Sequence, residues 1–143
     1  MADPRVATTN RLGTRLSVKT YKADASGDIV YDATQPNGTA VAGRAVMLTG
    51  NGLIRLTADA SPVLGKLLNM EYDGYCSVAV GGVVDLPSSG TTTVGTKIVG
   101  ALLTAARGYV RSAVAATLAD VAASSGLVLD VANTAAVEVD LDG

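Results

Sequence analysis

Along most of the chain apolar residues recur at alternate positions, the period of half-buried strands. In RLSVKTYK (15–22), Leu16 and Val18 fall on one face and Arg15, Ser17 and Lys19 on the other. GDIVYD (27–32) reads as a further short strand after an Ala-Ser-Gly turn. DATQPNGTAVAG (32–43) is rich in Pro, Gly, Asn and Thr and reads as a long loop. In RAVMLTGNGLIRLT (44–57) two apolar runs flank Asn51-Gly52, a dipeptide that takes the positive φ angles of a type I′ hairpin turn. After a turn at ADASP (58–62), residues 62–87 read as a second hairpin around Asp73-Gly74. Leu68, Met70 and Tyr72 are expected on one face of its first strand.

SSGTTTVG (88–95) is a polar loop. TKIVGALLT and RGYVRSAV suggest two more strands, with a turn near Ala106-Arg107-Gly108. TLADVAASSG (117–126) is the helix candidate. Thr117 suits the N-cap, Asp120 approximates the acid of a capping box, and Gly126 suits the C′ position. Leu118, Val121 and Ala122 would share a helix face. In LVLDVANTAAVEVDLDG (127–143), Leu127, Leu129 and Val131 would share one strand face. Val137, Val139 and Leu141 would share another, with Glu138 and Asp140 turned to solvent. About nine short strands and one helix indicate a small barrel or sandwich. Residues 1–14 have no apolar period and are expected to form an arm, mobile until it docks, on a single β-rich domain spanning 15–143.

Composition narrows the chemistry. The chain has 143 residues, 48% of them apolar, yet only 3% are aromatic, with no Phe and no Trp. Its core must be built from Val, Leu, Ile and Ala, and a small aliphatic core favours further burial against a partner. There is no histidine, the commonest general base and metal ligand. One cysteine excludes an intrachain disulfide and a Cys-rich zinc site. With no EF-hand spacing either, no metal or cofactor is expected. The N-terminal segment lacks the apolar run of a signal peptide, and no stretch matches a membrane span, so no membrane partner is expected.

Charge is divided between the ends. Residues 1–22 hold Arg5, Arg11, Arg15, Lys19 and Lys22 against Asp3 alone. Residues 112–143 hold Asp120, Asp130, Glu138, Asp140 and Asp142 and no Lys or Arg. Such asymmetry marks an interaction arm, subunit pairing, or two solvated ends. Nucleic acid is a poorer fit than protein for the basic end, because the chain is acidic overall and has few aromatics for stacking.

CSVAVGGVVDLP (76–87) holds three candidates for chemistry. Cys76 alternates with Val78, Val80, Val84 and Leu86 and has no basic neighbour to lower its pKa, so it reads as a buried apolar side chain. Gly81-Gly82 precedes no helix and belongs to no phosphate-binding motif. It reads as a bend that lets one strand serve two sides of a barrel. Asp85 points away from the apolar face and has no evident catalytic partner. No nucleophile, base and acid constellation emerges, and the chain is expected to bind or build rather than to catalyse.

PVLGKLLNMEYDGYCSVAVGGVVDLP followed by VGTKIVG resembles the capsid decoration (cement) proteins of tailed bacteriophages. The matching positions are Val78, Val80, Gly82, Val83, Leu86 and Pro87, then Gly95, Lys97, Val99 and Gly100. The resemblance covers roughly residues 40–112. It implies a protein of the virion's outer capsid surface that clamps major capsid protein subunits together as a homo-oligomer, commonly a trimer. The expected fold is mainly β, a small β-barrel or β-tulip-like domain with one short helix and an extended N-terminal arm. Arg5, Arg11, Arg15 and Lys19 are the expected contacts to the shell or to a neighbouring copy. Another virion component, such as a tail or fibre adaptor, is the alternative within structural proteins. A hydrolase or carbohydrate-binding module on a β scaffold is the alternative outside them.

Overall fold

A computed structural model describes residues 16–133 and 136–142, with the backbone alone at 132 and 133. The expected arm at 1–14, with Arg5 and Arg11, and the neighbouring Arg15 lie outside the described residues. The fold is mainly β, with a closed five-stranded barrel and, among the described residues, one short helix. Its elements are β1 (Ser17–Ala23), β2 (Ala45–Gly50), β3 (Leu53–Leu56), β4 (Gly65–Met70), β5 (Tyr75–Gly81), β6 (Val83–Pro87), β7 (Ile98–Leu103), β8 (Ala106–Ser112), α1 (Leu118–Ala123), β9 (Leu127–Asn133) and β10 (Ala136–Asp140).

The barrel runs β1-β3-β2-β4-β5 and closes through β5 on β1. Both hairpins form where their turn residues place them. Gly52 and Gly74 take φ of 69° and 90°, values that glycine adopts without strain, but Asn51 has no positive φ, so the first turn is not the type I′ expected. The Asp73 carboxylate accepts a hydrogen bond from the Tyr75 N–H at 3.2 Å, fixing the second turn. Beyond the barrel lie a three-stranded sheet, β6-β10-β9, and the β7-β8 pair.

Two cores follow from this arrangement. Val46, Ile54, Leu56, Leu67, Cys76 and Val78 fill the barrel with Ile29 and Met70. Ala45, Val63 and Ala79 face outward and join Val84, Leu86, Ile98, Val110, Val128, Val137 and Val139 in a second core between barrel and sheets. Strand β5 is therefore buried on both faces, which is why its sequence is a nearly continuous apolar run. At Gly82, φ 92°, the chain leaves the barrel and enters the three-stranded sheet as β6. The bend expected at the glycine pair is present, but it joins a barrel to a separate sheet.

Several local expectations are corrected. GDIVYD is not a strand: Ile29 alone plugs the barrel, while Val30 and Tyr31 are exposed. Its alternation has no strand to pair with, and Asp28 is held by arginine side chains. In β4 a register shift between Leu67 and Asn69 rephases the alternation, so Leu67 is buried, Leu68 only partly, and Tyr72 lies outside the strand, exposed. In β9 the register moves from Val128, opposite Val139, to Asp130, opposite Glu138, which leaves Leu129 exposed. Val128 and Val131, not Leu127 and Leu129, pack on the core. The β7-β8 turn falls at Thr104-Ala105 rather than 106–108. There are ten strands among the described residues rather than about nine.

The helix forms where expected but is six residues long and is capped differently. Thr117 makes no side-chain cap, and Ser124 is the C-cap, so Gly126 lies beyond C′. Asp120 turns away from the helix terminus toward Arg111, a stronger partner. Leu118 and Val121 face solvent, 83% and 52% exposed.

Candidate interaction site

The strand that would carry the basic arm into the domain is β1. Lys19 is exposed there, opposite Val78 of β5. Leu16 and Val18, the apolar face expected from alternation, are 42% and 50% exposed. Val18 pairs with Ala79, whose side chain belongs to the outer core, so Val18 lies on the outer face of the barrel. This apolar face is left uncovered by the described residues of the chain.

The outer face of β6-β10-β9 is acidic by register. Val84 and Leu86 on β6, and Val137 and Val139 on β10, turn into the core, so the intervening acids turn outward. Glu138 stands directly opposite Asp85 on one side and Asp130 on the other, which places three carboxylates in one row across three strands. Like charges in such positions repel. Asp140 continues this face along β10, and its carboxylate accepts from the Asp142 N–H at 3.0 Å. Asp142 in turn accepts from Gly82 N–H at 3.0 Å, tying the chain's end to the bend between β5 and β6. The outward turn of Asp85, Glu138 and Asp140 follows the expected alternation, although Glu138 and Asp140 are half-buried. The place of Asp130 in the row depends on the β9 bulge, which alternation does not reveal.

Sequence reasoning also missed a cationic cluster. Arg55 and Arg107 both bring Nε to the same oxygen of Asp28, at 2.8 Å and 3.2 Å. Hydrogen bonding to this carboxylate raises the Arg55 pKa further. Arg44 donates to the Arg107 carbonyl at 3.3 Å and stacks over Tyr109, 5.4 Å from the ring centroid. Residues 28, 44, 55 and 107 share no local motif, and only barrel closure with β8 alongside assembles them.

Cys76 is buried, and burial pushes its thiol up to about 11, away from the thiolate form a nucleophile requires. Asp85 is exposed on the acidic face. Among the described residues no cluster of His, Cys, Asp and Glu is arranged to hold a metal ion. No helix among them is long and apolar enough to cross a membrane. Comparisons of the chain with family models, with curated proteins and with solved structures find no match.

Proposed function

We propose that this protein is a non-enzymatic capsid decoration protein, binding the outer surface of a phage head and stabilising contacts between major capsid protein subunits. The observation that carries the reading is the pairing of an uncovered apolar strand face with divided charge. Val18 is exposed on β1 and Leu16 just before it, after a basic segment, and the carboxylate row of Asp85, Glu138 and Asp130 lies on a separate sheet. A basic, partly apolar segment laid on a neighbouring subunit buries side-chain stems and adds ion pairs. One exposed pair contributes only about 0–1 kcal/mol, so the effect comes from several pairs per copy and many copies per shell. The resemblance to decoration proteins falls on β5, which contributes to both cores, and on β6 and β7, which contribute to the outer one.

Arg5, Arg11, Arg15 and Lys19 are the proposed contacts to the shell or to a second copy, with a trimer as the proposed assembly. Purified protein mixed with expanded and unexpanded phage shells is expected to bind one form selectively and saturably, and deletion of residues 1–14 to weaken that binding. Binding to neither form overturns the reading. Undiminished binding by the deletion variant overturns the arm's part in it. Light scattering after size exclusion tests the trimer independently.

A further inference from the structure

We propose that the cleft between the 31–38 loop and the end of β4 binds a neutral carbohydrate. The cleft is about 500 Å³, within the size range of small-ligand sites. It is lined by Tyr31 and Tyr72, by the amides Gln35, Asn37 and Asn69, and by Glu71. This combination suits a sugar. A pyranose presents an apolar C–H face, which packs on an aromatic ring, and a rim of hydroxyls that both donate and accept. Side-chain amides answer with both functions, and a carboxylate accepts from paired hydroxyls.

Three observations point the same way. Tyr72 is 83% exposed and Tyr31 40%, in a chain with only five tyrosines as its aromatics. Exposed rings at a cleft mark a contact surface more than a contribution to the core. Asn37 and Asn69 are both exposed at the cleft wall, so their amides can meet a ligand there with both donors and acceptors. No Lys or Arg lines the cleft, and Glu71 repels anions, so phosphates and acidic sugars are disfavoured.

The walls are also held in place before any ligand arrives. The Met70 N–H donates to the Asn37 carbonyl at 2.9 Å, and the Asp32 N–H donates to the Gly38 carbonyl at 2.7 Å. Gly38, at φ 77°, sits so close to the Met70 carbonyl that no side chain would fit. The Asp32 carboxylate accepts from the Thr34 N–H at 2.9 Å and from the Thr34 hydroxyl at 2.6 Å, and the Gln35 N–H donates to the Asp32 carbonyl at 3.1 Å. A preset cleft loses less entropy on binding than one that must be ordered. A proline-rich peptide is the other ligand that tyrosine-lined grooves accept. It has few hydroxyls or N–H groups to engage four polar side chains, and the lining therefore favours sugar.

This inference is independent of shell binding. The test is NMR titration of the whole protein with neutral glucose, galactose, mannose and N-acetylglucosamine oligomers, alongside a proline-rich peptide. Saturable binding of at least one oligosaccharide is expected, with perturbations centred on Tyr31 and Tyr72. Tyr72→Ala is expected to weaken it roughly tenfold, and Asn69→Ala to weaken it as well. Tyr75→Ala, outside the cleft, is expected to leave it unchanged. Tyr72 is so exposed that its loss spares the fold, which the thermal midpoint of the variant checks. Failure of every oligosaccharide to bind, undiminished binding by Tyr72→Ala, or perturbation by the peptide alone each overturns the proposal.

Discussion

Arg111 on β8 grips the carboxylate of Asp120 on α1 with both terminal nitrogens, at 2.5 Å and 3.0 Å, and Asp120 is only 1% exposed. The same carboxylate accepts from the Val114 N–H at 2.8 Å, and the same guanidinium reaches Asp59 at 3.1 Å through Nε. A six-residue helix with Leu118 and Val121 exposed has little apolar burial of its own, and isolated helices of that length do not persist. The fork from Arg111, the Val114 N–H bond and the backbone pair between Ser125 and Ile98 just past the helix hold it against the β7-β8 pair.

The pair carries a pH signature. The Arg111 guanidinium and the Val114 N–H hold the Asp120 carboxyl below its ordinary value of 3.8. A depressed folded-state pKa contributes stability in full above the unfolded value, and that contribution is lost as pH falls through the folded value. Asp120→Asn is therefore expected to lower the urea midpoint at neutral pH, with a difference from wild type that closes as pH drops below about 3.8. Urea titrations of both proteins across acid and neutral pH check it.

The carboxylate row predicts an unusual gain. Glu138→Gln removes a charge that faces both Asp85 and Asp130 across the sheet. It is expected to raise stability by about 0.2–1 kcal/mol at low salt, with the gain shrinking as salt screens the row. Chemical denaturation at two salt concentrations reads both effects.

Cys76 is expected to be inert in the native protein. Its thiol is raised from 9.0 to about 11 by burial. Alkylation by iodoacetamide at mildly alkaline pH is expected to run at least roughly a hundredfold slower than in the urea-unfolded chain. Mass spectrometry over a time course measures the ratio.

The bend between barrel and sheet depends on one backbone angle. Gly82 has φ 92°, a region L side chains rarely enter. Gly82→Ala is expected to destabilise the protein by about 1–2 kcal/mol. A thermal melt of this variant beside Gly50→Ala, where φ is not positive and a Cβ meets only the Leu53 side chain, separates backbone strain from the effect of adding a methyl group.

The bulge in β4 makes adjacent leucines unequal. Leu67 is fully buried inside the barrel, whereas Leu68 is only partly buried against the outer core. Leu67→Ala is expected to cost about 2–5 kcal/mol and Leu68→Ala clearly less. Urea denaturation of the two variants ranks them.

How much of this was legible depends on the range of the interaction. Asn51-Gly52 and Asp73-Gly74 announce their hairpins because a turn is decided by a few residues and their allowed φ angles. Val137 and Val139 announce the inner face of β10 because alternation is a property of one strand. The same logic failed at Leu68 and Leu129, where a bulge rephases the strand against its partner. It failed again at Asp120, whose choice of Arg111 over the helix terminus is made between elements. The carboxylate row and the arginine cluster around Asp28 were illegible for the same reason: each is assembled from three or four distant segments.

By itself the sequence determined a mainly β chain with an aliphatic core, two tight hairpins, a bend at Gly81-Gly82, a short helix and opposed charge at its ends. These are consequences of local backbone preference and period. Closure of the barrel on β1, insertion of β10 between β6 and β9, the second core under Ala79, and the cleft between Tyr31 and Tyr72 were decided only by tertiary structure. The reason is physical. Which strand neighbours which, and which side chains then share a surface, is set by burying two faces of the same strands at once, a global constraint that no single stretch of sequence contains.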